Sequence, residues 1–233
     1  MQDILPEAVL LALRDHYYAG VKQAELSFKY GAADEEALTG ALGQALVTPA
    51  PRILMTTDGG VYVWTVSHQV IGGKGKNADE TFLGADGIFE LQAFDKSGEL
   101  IRQKGLLFQS KKQWRGRNQM LLRQAEKLIE YSPSAMVLNY TPHGYDAVSA
   151  GDVIRAEGNR SNLPPKSPTS LAQTLGDEFV YCRRGDVGLL WSRDTHILFR
   201  KGEVLYSRDL MINHVMTTRV GEVTLQPERR GFL

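Results

Sequence analysis

The sequence predicts an α/β (α+β) fold in which helices pack against a mixed central β-sheet. Three segments, residues 4–19, 31–46 and 118–131, carry apolar residues at the spacing of one helix face. The segments between them contain short apolar runs separated by turn residues, which is typical of strands. A helix, several strands, a helix and a further strand in this order indicate a sheet with both parallel and antiparallel neighbours. With 233 residues, of which 42% are hydrophobic, the chain can bury a substantial core.

The composition excludes several classes of protein. The 27 Lys and Arg residues balance the 27 Asp and Glu residues, so any nucleic-acid-binding surface must be local rather than a property of the whole chain. The single cysteine, Cys182, excludes an internal disulfide and a zinc site built from several cysteines, and it indicates a reducing compartment. The sequence has no apolar run of 18 residues and no signal-peptide pattern. We therefore expect a cytoplasmic protein without a membrane segment.

Two helices are predicted before the first strand. The helix at residues 4–19 either packs into the core or serves as a docking element, for example in a homo-oligomer. In the second helix, residues 31–46, Asp34 is a good N-cap. Glu35 lies on the apolar stripe of this helix, whereas Glu36 lies beside its glycines. A first-turn glutamate can simply stabilise the helix dipole, but its place on the apolar stripe also suits a functional site.

Residues 84–112 are predicted to form a hairpin of two strands with a turn at residues 95–99. Because side chains alternate along a strand, Gln109 and Lys111 share one face of the second strand, while Asp86 begins the first. A lysine at the end of an apolar strand needs a partner, because an unpaired buried amine is costly. A carboxylate from the neighbouring strand, or a metal ion with a phosphate, would be such a partner.

This pattern resembles the active-site signature of the PD-(D/E)xK nucleases: Asp86, an apolar strand, then Gln109-Ser110-Lys111 directly after Leu106-Leu107-Phe108. It is most similar to the Mrr-like branch, in which the second acidic position is glutamine. The residues before Asp86 are Leu83-Gly84-Ala85, so the proline of the signature is absent. The resemblance covers roughly residues 34–141. It implies a restriction-endonuclease-like αβββαβ core, to which the sequence adds an N-terminal helix and a β-rich C-terminal appendage.

The resemblance further implies a metal-dependent endonuclease, with DNA as the favoured substrate and restriction or anti-phage defence as its role. Mg²⁺, or Mn²⁺ in its place, would be held by oxygen ligands and would lower the pKa of the attacking water. The implied catalytic residues are Asp86, Gln109, Lys111 and Glu35. The implied metal ligands are Asp86, the Gln109 amide oxygen, the Ser110 backbone carbonyl and Glu35.

A second acid must help to hold the cation, because Gln109 brings no charge. Glu35 is the first choice for this role. Glu36, Glu80 and Glu90 remain as alternatives, although Glu90 lies about 13 Å along the strand from Asp86.

A basic cluster follows the motif, and no acidic residue occurs between Lys111 and Glu126. Phosphate neutralisation dominates nucleic-acid affinity, and a tryptophan can stack on a base. The predicted nucleic-acid-binding residues are therefore Lys112, Trp114, Arg115 and Arg117, and the resemblance adds Gln124 on the next helix. The alternative is a solvated loop with a partly buried tryptophan.

The chain is expected to divide into a nuclease-like domain at residues 1–154, a proline-rich linker or lid at 155–170, and a β-rich appendage at 171–233. Two other functions stay open at this point. The glutamine in place of the second acid permits an inactive module that binds nucleic acid or a partner protein. The neutral charge also fits a subunit that is activated by a regulatory protein such as a helicase or sensor.

Overall fold

The computed structural model of the protein describes residues 1–28, 34–71, 84–192, 194–195, 197–205 and 212–224. Its α-helices are α1 (Glu7–Ser27), α2 (Glu35–Leu46), α3 (Gln119–Tyr131), α4 (Ala150–Arg155) and α5 (Leu171–Gln173). The described residues also include a 3₁₀ turn at Arg160–Asn162 and a π-helical segment at Thr174–Phe179. The predicted N-cap is confirmed, because the Asp34 side chain accepts a hydrogen bond from the amide of Ala37.

The strands before α4 are β1 (Arg52–Met55), β2 (Val61–Val70), β3 (Gly87–Phe94), β4 (Leu100–Lys112), β5 (Met136–Thr141) and β6 (Gly144–Ser149). The later strands are β7 (Thr169–Ser170), β8 (Asp186–Val187), β9 (Leu189–Ser192), β10 (Ile197–Arg200), β11 (Glu203–Leu205) and β12 (His214–Val223). The main sheet has the order β1-β2-β12-β3-β4-β5-β6-β7, with β8 paired to β4, and β9 to β11 form a small second sheet. The β12–β3 and β4–β5 pairs are parallel and the other neighbours are antiparallel, so the predicted mixed sheet is confirmed.

The central hairpin is formed by β3 and β4, with Gly87 opposite Phe108. Its turn is stabilised by Asp95, whose side chain accepts hydrogen bonds from the amides of Ser97 at 2.8 Å and Glu99 at 2.9 Å. The hairpin and the turn that we predicted from the sequence are therefore confirmed.

Strand β12 lies inside the main sheet, although the sequence led us to expect an appendage at residues 171–233. It pairs with β2 on one side and runs parallel to β3 on the other. Successive side chains from Val215 to Thr218 are buried, so both faces of β12 are covered, as in a central strand. The expected linker at residues 155–170 likewise contains the 3₁₀ turn and strand β7, which pairs with β6.

The sheet has a hydrophobic core on each face. Helices α1 and α2 cover one face, where they pack on side chains such as Phe89 and Phe108. Helices α3 and α4 and the small sheet cover part of the other face, where Ile88 and Leu107 are buried. The two cores alternate along β3 and β4 with the period of two that a strand imposes.

Strand β6 ends at Ser149, and this residue caps α4, which begins directly after it at Ala150. Helix α3 buries Leu121, Gln124, Ala125 and Leu128, whereas its residues Met120 and Ile129 are exposed. Within the described ranges, none of the helices combines the length and apolar character that a membrane span requires.

Candidate active site

Asp86 stands directly before β3, and its backbone is held from both sides. Its amide donates to the carbonyl of Phe108 on β4 at 2.9 Å. Its own carbonyl accepts from the amides of Asn213 at 2.9 Å and His214 at 3.0 Å, at the beginning of β12. The residue that follows must be small, because a Cβ atom on Gly87 would lie 2.3 Å from the Phe108 ring. Two strands that are far apart in the sequence therefore fix the position of this aspartate.

The carboxylate of Asp86 is held asymmetrically. Its Oδ2 atom accepts hydrogen bonds from Gln109 Nε2 at 2.7 Å, from the Ser110 amide at 2.7 Å and from the Ser110 hydroxyl. Burial raises the pKa of Asp86, while the hydrogen bonds from Ser110 and the positive charge of Lys111 act in the opposite direction. The aspartate and the Gln-Ser-Lys motif thus meet at one end of the β3–β4 pair, as the sequence predicted.

Helix α2 supplies the acid that pairs with the lysine. Glu35 Oε2 lies 3.1 Å from Lys111 Nζ, and Glu35 Oε1 accepts a hydrogen bond from the Lys112 amide at 3.1 Å. The carboxylate partner of Lys111 therefore comes from the first turn of a helix rather than from the neighbouring strand. Asp34 caps that turn and so fixes the position of Glu35.

The other acids lie elsewhere. Glu36 is an exposed residue of the same turn of α2. Glu90 is buried and accepts hydrogen bonds from the Trp191 amide at 2.7 Å and the Thr217 hydroxyl at 2.8 Å, so it joins β3 to β9 and β12. Glu80 lies outside the described residues. Of the three considered glutamates that the structure describes, Glu35 is the one that contacts Lys111.

The donor set at this site suits a hard cation. In the part of the chain that the structure describes, Asp86 Oδ1 accepts no hydrogen bond, and Gln109 Oε1 is buried without a donor. An unpaired buried amide oxygen costs about 1–3 kcal/mol, which a bound cation would recover. The same part of the chain contains no cluster of three or more His, Cys, Asp or Glu side chains with metal-binding geometry. The carboxylate and amide oxygens that lack a donor are of the ligand type that Mg²⁺ prefers, and Mg²⁺ keeps several of its own waters.

The tryptophan of the basic cluster is buried, contrary to the expectation that it stacks on a base. Trp114 is 4% exposed, and the guanidinium of Arg160 lies 5.4 Å from the centre of its ring. Its amide donates to the buried Asn139 side chain at 2.8 Å, and Asp146 holds both Asn139 and Arg160. Trp114 therefore anchors the turn after β4 instead of presenting a stacking surface.

The other predicted nucleic-acid contacts are divided between surface and interior. Arg115 and Arg117 are exposed on the turn after β4, and Arg117 forms an ion pair with Glu157 at 3.4 Å. Lys112 is half-buried, with its ammonium group 6.0 Å from the centre of the Phe28 ring. Gln124 is 3% exposed and faces the sheet from α3. Of the predicted nucleic-acid contacts, Arg115 and Arg117 are therefore the two that are exposed.

A pair of histidines near Asp86 was not predicted. His68 Nε2 and His214 Nδ1 are 3.1 Å apart, and the planes of the two rings are nearly parallel, with an angle of 10° between them. The Gln44 amide nitrogen lies 3.3 Å from His68 Nδ1, so His68 carries its proton on Nε2 and donates it to His214. Burial lowers the pKa of His214 to about 4, so this ring is neutral at pH 7. Local sequence patterns give no signal for this pair, because the two residues belong to strands far apart in the chain.

No family model, curated protein or solved structure matches this chain.

Proposed function

We propose that the protein is a metal-dependent nuclease of the PD-(D/E)xK type that hydrolyses phosphodiester bonds, most readily those of DNA. The observation that carries the proposal is that two pairs lie at one end of β3 and β4: Gln109 contacts Asp86 at 2.7 Å, and Lys111 contacts Glu35 at 3.1 Å. Residues scattered over the sequence thus form one polar group at a sheet end, with a carboxylate, an amide oxygen and an amine. We also infer that α2, the strands β2 to β4, α3 and β5 correspond to a restriction-endonuclease-like αβββαβ core, into which β12 inserts between β2 and β3.

Each side chain has a definite part in this reaction. Asp86 Oδ1, Gln109 Oε1 and the Ser110 carbonyl would hold a divalent cation, with Glu35 as the second acid. The bound cation supplies charge stabilisation for the phosphate and a more acidic water. Lys111 donates hydrogen bonds to the attacking water or to the charged transition state. Glu35 keeps the lysine amine oriented before substrate binds, because it accepts a hydrogen bond from Nζ at 3.1 Å.

The nucleic acid would approach along the turn after β4. Arg115 and Arg117 are exposed on this turn, a few residues after the Gln-Ser-Lys motif, and can neutralise backbone phosphates. The buried Trp114 and Asn139 keep this turn in place. We further propose that this nuclease serves in restriction or anti-phage defence, where it acts alone or is activated by a helicase or sensor.

The proposal is tested by one cleavage assay over several substrates. Purified protein is incubated with plasmid, linear double-stranded DNA, single-stranded DNA and RNA, with Mg²⁺, with Mn²⁺ and without added metal. Cleavage that depends on the cation and is lost in Asp86→Asn is expected. If every substrate stays intact under all conditions, the proposed activity is wrong for the isolated protein.

A binding module without catalytic activity is the second candidate. Two observations favour it: Lys111 is already paired with Glu35, and the described residues contain no cluster of three metal-binding side chains of the acidic, His or Cys type. Calorimetric titration of Mg²⁺ into the wild type and Asp86→Asn separates the two candidates. A nuclease binds the cation through Asp86, whereas a pure binding module shows the same weak titration for both proteins.

A further inference from the structure

The two carboxylate oxygens of Asp86 differ in the number of hydrogen bonds that they accept. A carboxylate oxygen has about two lone pairs, and Oδ2 already accepts from Gln109 Nε2 and from two donors of Ser110. Oδ2 therefore has no lone pair left for a cation. Oδ1 accepts no hydrogen bond in the described part of the chain and is the oxygen that remains for a ligand.

The three donors differ in how firmly they stay in place. The Gln109 amide would turn away from Oδ2 when its own oxygen binds a cation. The two donors of Ser110 do not depend on that movement, because Ser110 is 1% exposed and lies on β4, opposite Leu138 of the parallel strand β5. In a site that holds a cation, Ser110 alone would keep both lone pairs of Oδ2 occupied.

This restriction affects magnesium and calcium differently. Mg²⁺ accepts a single oxygen from each carboxylate and completes an octahedral shell with water, whereas Ca²⁺ takes six to eight oxygens and often uses both oxygens of one carboxylate. A carboxylate with one occupied oxygen therefore offers a good ligand to Mg²⁺ and a poor one to Ca²⁺. The Ser110 hydroxyl is the donor that a substitution can remove without changing the backbone.

We propose that the Ser110 hydroxyl sets the cation selectivity of the site, by keeping Asp86 a one-oxygen ligand and so favouring Mg²⁺ over Ca²⁺. This inference rests on the metal site of the proposed function and assigns to Ser110 a role separate from that of its backbone carbonyl. Ser110 acts through Asp86 and is thus a positioning residue, not a catalytic one.

The test is a calorimetric measurement of Mg²⁺ and Ca²⁺ affinity for the wild type, Ser110→Ala and Ser110→Cys. Outer-shell partners of metal ligands typically change metal affinity about 10- to 100-fold when removed. We expect the preference for Mg²⁺ over Ca²⁺ to fall at least about tenfold in Ser110→Ala. Ser110→Cys keeps a similar shape with a weaker donor, so it should give an intermediate preference, and it serves as the second variant if the alanine protein folds poorly.

Ser132→Ala is the matched control. Ser132 is also a buried serine whose hydroxyl donates to an aspartate, Asp186, but this pair joins β8 to the end of α3. Its loss should lower the melting temperature about as much as Ser110→Ala does and leave the cation preference unchanged.

The outcomes separate this inference from the proposed function. A wild type that binds Mg²⁺, with the same Mg²⁺ to Ca²⁺ preference in Ser110→Ala, overturns the role of Ser110 and leaves the nuclease proposal standing. A wild type that binds neither cation overturns both. A fall in preference in Ser110→Ala but not in Ser132→Ala supports the inference.

Discussion

Replacing Lys111 by methionine should abolish cleavage while leaving the fold almost unchanged. The Lys111 and Glu35 side chains are 12% and 37% exposed in an ion pair of 3.1 Å. Exposed pairs contribute about 0.2–1 kcal/mol, whereas breaking a fully buried pair costs about 3–5 kcal/mol. Glu35 stays accessible to water and keeps its hydrogen bond to the Lys112 amide, so we expect a loss of about 1 kcal/mol in unfolding free energy. Removing a hydrogen-bond donor that stabilises charge in the transition state lowers the rate about 100- to 1000-fold. The expected effect on cleavage is therefore larger than the effect on stability.

Two measurements on the same preparations check this expectation. Urea denaturation gives the unfolding free energy, and single-turnover cleavage of labelled DNA with Mg²⁺ gives the rate. Lys22→Met is the control, because Lys22 pairs with Glu25 at 2.8 Å on α1 and is 71% exposed. That variant should cleave at the wild-type rate. Wild-type cleavage by folded Lys111→Met would refute the role that we assign to this amine.

The remaining predictions concern stability. Burial lowers the pKa of Lys104 from 10.5 to about 8, so the unfolded chain binds more protons than the folded one between these values, and stability should rise with pH from about 8 to 10. Lys104→Met removes a buried charge that destabilises the fold by roughly 3 kcal/mol at pH 7. It also removes a contact of 4.3 Å between the Lys104 ammonium and the Phe179 ring. We therefore expect the free energy of unfolding to increase by about 1–2 kcal/mol and to depend less on pH. Asn139→Ala should cost about 2–3 kcal/mol, because it leaves the buried Trp114 amide without its acceptor and removes a partner of Asp146.

Denaturant unfolding at several pH values checks both variants. The charge argument for Lys104 would be contradicted if the difference in unfolding free energy between the wild type and Lys104→Met were the same at pH 8 and at pH 10. A stability of Asn139→Ala within 0.5 kcal/mol of the wild type, roughly the scale of a neutral surface change, would show that the turn after β4 does not depend on Asn139.

Local sequence signals predicted the parts of the site that are close in the chain. The cap residue Asp34 and the apolar stripe place Glu35 on the sheet side of α2, because capping and helix periodicity are local effects. The turn at Asp95 predicts the hairpin of β3 and β4, although the register that brings Asp86 beside Gln109 also depends on an irregularity between Ala93 and Phe94. The mixed sheet flanked by helices follows from the same patterns.

The order of strands across the sheet could not be predicted in this way. The sequence pattern of β12 is that of any buried strand. It does not indicate that β12 pairs with β2 and β3. For the same reason the sequence did not indicate that His214 lies next to Asp86. The burial of Trp114 also depends on distant residues, since Asn139, Asp146 and Arg160 all come later in the chain. Where the local sequence is compatible with either a buried or an exposed side chain, tertiary contacts of this kind determine which one occurs.

The position of β12 has a consequence for the newly synthesised protein. Strands β2 and β3 are separated in the sheet by β12, so each keeps an open edge until residues 212–224 have left the ribosome. The carbonyl of Asp86 also gains its two hydrogen bonds from Asn213 and His214 only at that stage. An incomplete chain therefore carries every proposed catalytic side chain without a finished site. The proposed active site would therefore be completed only after β12 has been translated and has joined the sheet.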